Sequence, residues 1–231
     1  MNDFTRGMKR GIPVAIGYFP VAFSFGVLCI NAGLPVGMAT MISLTNLTSS
    51  GQFAGVSLIE ASATYFEISL TLLMINARYF LMSLSLSQKI DQKMSILKRL
   101  LISMGITDEI FALASLEEGT LSFPFMCGLI FLPYLGWGLG TLAGELIMGL
   151  LPVALQGAMG IALYAMFLAL IIPASKKSKQ VAIVVILSVF LHCLLNVQIF
   201  SFISTGAKLI IAIIFGSMIG AYLFPVKEDL E

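Results

Sequence analysis

Residues 43–52 read Ser-Leu-Thr-Asn-Leu-Thr-Ser-Ser-Gly-Gln, and they fall inside an apolar run that extends from about residue 35 to 57. Eight of these ten positions are hydroxyl, amide or glycine. The run is long enough for a membrane helix, which needs about 20 apolar residues. Its polar centre is poor material for a regular helix facing lipid. Irregular backbone at membrane depth is tolerated only where protein encloses it or where it lines a water-filled cavity. The stretch therefore reads as a broken or re-entrant helix inside a bundle of membrane helices.

The rest of the chain agrees. Of its 231 residues, 58% are hydrophobic and 11% are charged, with a mean hydropathy of +1.00. Soluble domains carry about 25% charged residues. A chain this apolar has too little polar surface to cover a core in water. That excludes a soluble enzyme and a disordered protein. Thirteen Lys+Arg against twelve Asp+Glu leave a net charge of +1, so no electrostatic field attracts nucleic acid. The fold class is an all-α integral membrane protein, a single polytopic membrane domain over residues 1–231. Apolar runs at roughly 12–31, 35–57, 61–87, 99–116, 122–150, 152–174, 180–200 and 205–224 give about seven to eight hydrophobic segments. Some of these are broken or re-entrant. The first run is too long for a signal-peptide core and no small-x-small cleavage site follows it, so it is a retained helix. Cys29, Cys127 and Cys193 lie in separate apolar runs and read as buried small hydrophobes, with no zinc or disulfide spacing.

Basic residues cluster at Arg6/Lys9/Arg10, at Lys89/Lys93/Lys98/Arg99 and at Lys176/Lys177/Lys179. The positive-inside rule puts all three on the cytoplasmic side. Yet three apolar runs separate the first cluster from the second, and three more separate the second from the third. An odd number of full crossings cannot return to the same side, so one run in each block must be broken, re-entrant or half-spanning. In the first block the candidate is 35–57. In the second it is either 99–116, with Gly105-Ile106-Thr107-Asp108-Glu109, or 122–150, with Pro124, Pro133 and glycines 136, 138 and 140. A pair of interrupted segments in corresponding halves points to a transporter site at the bilayer midplane.

Ionisable residues within membrane segments are costly and mark function by default. Here they are Glu60, Glu67, Arg78, Asp108, Glu109, Glu117, Glu118, Glu145 and Lys208. A seven-residue spacing puts Glu60 and Glu67 on one helix face with Thr64 and Thr71. Arg78, with Asn76, either snorkels to the interface or pairs with Asp108 or Glu109. Glu117 and Glu118 beside Gly119 read as a loop at the far surface. His192 is the single histidine and reads as packing. No metalloprotease, nucleophile-elbow or phosphate-loop motif is present. The expectation is no enzyme, no metal and no cofactor, and a transport cycle driven by an ion gradient.

Four stretches together resemble the AzlC-like family, the large subunit of two-component branched-chain amino-acid permeases and exporters. They are Arg10-Gly11-Ile12-Pro13 through Pro20 and Phe25-Gly26 to Leu34; Ser49-Ser50-Gly51-Gln52-Phe53-Ala54; Asn76-Ala77-Arg78-Tyr79 followed by Thr107-Asp108-Glu109; and Trp137-Gly138-Leu139-Gly140-Thr141 with Gly144, then Phe167-Leu168-Ala169-Leu170. The family's acid near the sixth segment is missing from Gly160-Ile161-Ala162-Leu163-Tyr164. The resemblance implies a small AzlD-type membrane partner and transport of valine, leucine, isoleucine or similar amino acids, as export.

An amino-acid zwitterion needs donors for its carboxylate and acceptors for its ammonium group. Broken-helix N-termini and hydroxyls offer the former, carbonyls or a carboxylate the latter. The expected substrate-binding residues are Asn46, Ser49, Ser50, Gly51 and Gln52. The expected coupling or gating residues are Glu67, Asn76, Arg78, Asp108 and Glu109, with a proton or sodium as the coupling ion. The expected location is a prokaryotic inner membrane with a cytoplasmic N-terminus. Competing readings are a passive channel, a lipid-directed intramembrane enzyme and a non-transporting assembly subunit. The polar 43–52 stretch speaks against a scaffold, which has no reason to break a helix there.

Overall fold

The computed structural model describes residues 2–150, 178–200, 202–203 and 205–225, with isolated positions between 152 and 176. The expected apolar run at 152–174 and the Phe167–Leu170 stretch fall almost wholly outside the described residues, as does the tail from 227 to 231. Regular structure among the described residues is helical, apart from one isolated bridge between Ile90 and Leu121. Contacts divide the chain into two compact units: Met1–Val56 with Ile75–Leu163, and Ser57–Met74 with Tyr164–Glu231.

The first unit is built on two long helices, α1 (Asp3–Asn31) and α7 (Phe123–Ile147). Asn2 caps α1 by accepting from the Thr5 amide, and Ser122 caps α7 by accepting from the Phe125 amide, just ahead of Pro124 in the first turn. The helices run parallel. Gly7 faces the backbone at Phe125 to Leu129, Gly136 faces Ala15, Gly140 faces Phe19, and Gly144 faces Phe23 and Gly26. A Cβ at Gly136 would stand 2.8 Å from the Ala15 carbonyl oxygen, and one at Gly140 2.5 Å from that of Phe19. Lipid supplies no hydrophobic drive between helices, so such small-residue seams let backbones approach and gain van der Waals contact. The Trp137–Gly144 motif is this seam. The opposite faces carry Ile16 and Leu139, both more than half exposed, as lipid-facing surface should be.

Between α1 and α7 the chain forms α2 (Met38–Thr45), α3 (Ser50–Glu60), α4 (Tyr65–Ser87), α5 (Ile96–Ser103) and α6 (Asp108–Leu116). The run at 35–57 is therefore broken at 46–49, and the run at 99–116 is broken at 104–107. α7 is continuous through Pro133, so the second break falls in 99–116 and not in 122–150.

Both broken runs are re-entrant. Asp3 accepts from the Ser122 hydroxyl at 2.5 Å, Arg6 and Arg10 each lie 3.7 Å from Glu117, and the Leu121 amide donates to the Lys89 carbonyl at 2.9 Å. Lys98 stands 5.3 Å from the Phe123 ring centroid. The start of α1, the end of α4, both ends of the α5–α6 pair and the start of α7 thus share one face, here the amino-terminal face. The first two basic clusters share it. Glu117 lies there too, not at a far surface, because it is the counter-ion of Arg6 and Arg10.

α2 enters from the opposite face. The Gly37 and Ala39 amides donate to Glu145 Oε1 at 3.0 and 2.9 Å, and the Thr40 hydroxyl donates to Oε2. Further down, Ser43 and Thr141 share a hydrogen bond of 2.7 Å, and the Tyr134 hydroxyl donates to the Leu44 carbonyl at 2.8 Å. α2 therefore descends antiparallel to α7. α3 turns back, with the Phe53 ring 5.2 Å from that of Phe25, close to the end of α1.

The two halves match. Met38 and Ile96, which open α2 and α5, are 58 residues apart, and so are Ser50 and Asp108, which open α3 and α6. At the same offset, Phe53-Ala54-Gly55-Val56-Ser57-Leu58-Ile59-Glu60 stands over Phe111-Ala112-Leu113-Ala114-Ser115-Leu116-Glu117-Glu118. Phe, Ala, Ser, Leu and the final Glu coincide. α1–α3 and α4–α6 are each a long helix followed by a re-entrant hairpin, and the two are inverted.

The second unit contains the first half of α4, α8 (Lys179–Leu195) and α9 (Thr205–Leu223). Gly216 packs on Ser188 and Gly220 on Val184, joining α8 to α9. Glu60 ends α3 and Glu67 opens α4, so a turn at 61–64 separates them and the expected shared helix face does not form. Among the described residues, α1, α4 and the helix through Leu150 are long and apolar enough to cross a membrane; Lys179–Leu195 and Ile210–Leu223 are shorter apolar helices. All three cysteines are free: Cys29 is buried, Cys127 half-buried and Cys193 exposed. Cys193 departs from the expected burial: it borders an open apolar cavity between α8 and α9.

Candidate functional site

The two hairpin tips meet at one residue of α4. Arg78 Nη1 lies 2.8 Å from Asp108 Oδ2, in the first turn of α6, and Nη2 donates to Ser50 Oγ at 2.7 Å, in the first turn of α3. Arg78 sits nine residues before the end of α4, or about 14 Å at 1.5 Å per residue. It is therefore no interfacial snorkeller, and Asp108, not Glu109, is its partner. The guanidinium also lies 5.1 Å from the Tyr79 ring centroid, and the Tyr79 hydroxyl donates to the Thr48 carbonyl at 3.3 Å. One cation thus ties together the N-termini of two half-helices. An acidic first turn is favourable at α6, where the helix dipole is positive. At α3 the neutral Ser50 takes that place.

Local sequence explains both breaks. Thr107 caps α6, its Oγ1 accepting from the Ile110 amide at 3.4 Å. In the first hairpin Ser49 adopts a left-handed φ of 48°. That strain is held by Gln52, which accepts from the Ser49 amide at 3.2 Å and donates to Ser43 Oγ at 3.1 Å. Gln52 is only 3% exposed. It braces the tip from within and does not border the cavity described next.

That cavity, of about 280 Å³, opens beside the tip of the first hairpin. Thr45, Asn46, Thr48, Asn76, Tyr79 and Ser83 give it a polar wall, and Leu47, Met104 and Ile106 an apolar one. Its size falls just below the range for drug-sized ligand pockets, about 300–1,000 Å³, as suits a small solute. Two buried polar atoms of its lining residues have no hydrogen-bond partner, Thr48 Oγ1 and Asn76 Oδ1, and Arg78 Nε, one residue before Tyr79, has none either. Such orphans are uncommon in folded proteins and need an explanation. Gly51 lets the Thr48 and Asn76 atoms gather: a Cβ there would stand 2.7 Å from Thr48 Oγ1 and 2.9 Å from Asn76 Oδ1.

Of the expected substrate residues, Asn46 lines the cavity, Ser49, Ser50 and Gly51 form the tip beside it, and Gln52 supports them from behind. Of the expected coupling residues, Asn76, Arg78, Asp108 and Glu109 gather at the two tips. Glu67 belongs to the second unit and accepts from the Thr64 amide and hydroxyl, both at 2.9 Å, as a helix cap. One residue escaped the sequence pattern. Tyr18 of α1 places its hydroxyl 2.6 Å from Thr107 Oγ1 and 2.5 Å from Glu109 Oε2. Nothing local marks it out in an apolar run. Glu145, one of the ionisable residues expected to mark function, is 4% exposed and anchors the entry of α2, a role its sequence position alone does not assign. Among the described residues no group of three or more His, Cys, Asp or Glu could hold a metal ion.

These features define a polytopic helical membrane protein with two inverted re-entrant hairpins that meet at a partly buried polar cluster. The AzlC protein family matches residues 13–151, more than half of the chain and all of both hairpins, and the chain belongs to that family. It is 27% identical over 187 residues to the inner membrane protein YgaZ of Escherichia coli, covering 78% of this chain and 76% of that protein. An uncharacterized membrane protein of Archaeoglobus fulgidus is 29% identical over 180 residues, covering 75% and 76%. One of Helicobacter pylori is 26% identical over 185 residues, covering 77% and 80%. No solved structure matches. Family membership and the apolar helices place the chain in a membrane and support a role in membrane transport.

Proposed function

We propose that this chain moves small amino acids, branched-chain ones foremost, across a prokaryotic inner membrane, as the exporting large subunit of a two-component secondary transporter. A small AzlD-type membrane subunit is its partner, and the N-terminus faces the cytoplasm, where the first two basic clusters belong. The observation that carries this reading is the meeting of two half-helix N-termini beside a small cavity with one polar and one apolar wall.

The chemistry suits a zwitterion with an aliphatic side chain. The α3 N-terminus and the hydroxyls of Thr48 and Ser49 supply donors for a carboxylate. The Asn46 and Asn76 amide oxygens accept from an ammonium group. Leu47, Met104 and Ile106 receive the side chain. Arg78 and Asp108 hold the tips and set their separation. The function is transport and not catalysis.

Efflux of labelled valine, leucine, isoleucine and methionine from dipeptide-loaded cells is the direct assay. Cells would carry this chain, this chain with its small partner, or neither. The reading predicts saturable, partner-dependent efflux of at least one of them. Flux that does not saturate indicates a channel. No efflux of any of the four, with insertion verified, rejects the substrate class.

A further inference from the structure

The 58-residue offset pairs contacts as well as elements. Tyr18 of α1 corresponds to Asn76 of α4, and Gly51 of the first tip corresponds to Glu109 of the second. In one half the Asn76 amide closes on Gly51; in the other the Tyr18 hydroxyl closes on Glu109 at 2.5 Å. The same contact is built twice with different chemistry. Only the second copy carries an ionisable group.

That group is in excess. The charged and titratable groups around it are Tyr18 from α1, Arg78 and Tyr79 from α4, and Asp108 beside it on α6. Among the described residues Arg78 is the single cation there, and Asp108 holds it at 2.8 Å. The two tips together therefore hold one carboxylate more than cations, at the depth where an unpaired charge is expensive. Tyr18 is suited to a group that changes state. Facing an ionised Glu109, its hydroxyl donates to the carboxylate and accepts from Thr107. Facing a protonated Glu109, it accepts from the carboxyl O–H and donates to Thr107 Oγ1, 2.6 Å away. Both states are hydrogen-bonded, so neither leaves a buried polar orphan. A sodium ion is poorly served here, because the Arg78 guanidinium stands beside the site and a hard cation wants several oxygen ligands.

We propose that the duplicated halves divide the transport cycle: the Gly51 tip handles the substrate, and Glu109 of the other tip carries the coupling proton. This rests on the transport reading above. The proton binds a Glu109 carboxylate oxygen from one side of the membrane and leaves to the other, with no other bond made or broken.

The full chain in liposomes separates the two claims. Substrate counterflow at equal pH on both sides reports the transport reading alone. Accumulation against a gradient under an imposed pH difference, with a trapped pH dye, reports coupling. Glu109→Gln should keep counterflow within about threefold, yet lose pH-driven accumulation and substrate-dependent proton movement. Tyr18→Phe removes the hydroxyl that bonds Glu109 in either state, so it should slow pH-driven accumulation at least severalfold while sparing counterflow. A Glu109→Gln protein that accumulates substrate and moves protons as the parent does would overturn the assignment, and so would a Tyr18→Phe protein whose pH-driven accumulation matches the parent's. A parent chain without counterflow rejects the transport reading itself, and the coupling assignment with it.

Discussion

Gly51 and Arg78 carry the site at the scale of single residues. Gly51 is required by close approach. Gly51→Ala pushes a methyl into Thr48 Oγ1 and Asn76 Oδ1, and overpacking of this kind costs about 1–3 kcal/mol. Transport by this variant should fall by about tenfold or more while membrane insertion persists, as initial rates normalised to folded protein would show. Arg78→Ala leaves Asp108 and Glu109 without a cation. The pair is only partly buried, with side-chain exposures of 38% and 33%. The loss is therefore well below that of a fully buried pair, about 1–2 kcal/mol. A combined Arg78→Asp and Asp108→Arg exchange should recover much of the thermal midpoint in detergent but not transport, because Ser50 then loses its donor. A midpoint no higher in the exchange than in Arg78→Ala would remove the ion pair as the link between the tips.

At the scale of elements, each hairpin is held at its entrance as well as at its tip. Glu145 accepts from the Gly37 and Ala39 amides and the Thr40 hydroxyl. Glu145→Ala orphans these donors, at about 1–3 kcal/mol for each that stays buried. Glu145→Gln keeps one acceptor oxygen. Thermal midpoints should rank parent, Glu145→Gln, Glu145→Ala, and thiol labelling of Ser43→Cys should quicken in the same order. Much of this scale is legible in the sequence. Eight polar or glycine residues in 43–52 announce the first break, and charge parity demands a second. The choice of 99–116 over 122–150 is less legible. Pro133 looks like a breaker, but α7 continues through it because α1 packs along the seam and restrains the backbone. The Tyr18–Glu109 contact joins residues 91 apart in sequence, and no local pattern encodes it. Glu60 and Glu67 have helical spacing without a shared helix, because spacing does not reveal the turn at 61–64.

At the scale of the whole molecule, α1–α3 and α4–α6 are two inverted copies of one design, and their tips converge on Arg78. The duplication is almost invisible in sequence outside the Phe-Ala…Ser-Leu…Glu stretch. Membrane segments draw on few residue types, so only the offset of the elements exposes it. Its structural consequence is topological. The loop containing Asp91 must share a face with Asn2 and Glu118, while the loop containing Leu34 lies on the other. If the broken runs were instead full crossings, Asp91 would share a face with Leu34. The decisive measurement is thiol labelling with a membrane-impermeant reagent, in a transport-competent background lacking Cys29, Cys127 and Cys193, with single cysteines at positions 2, 34, 91 and 118. Paired re-entrant hairpins predict that 2, 91 and 118 label from one side and 34 from the other. Labelling of 91 together with 34 would contradict the hairpins, and with them the site built on their tips.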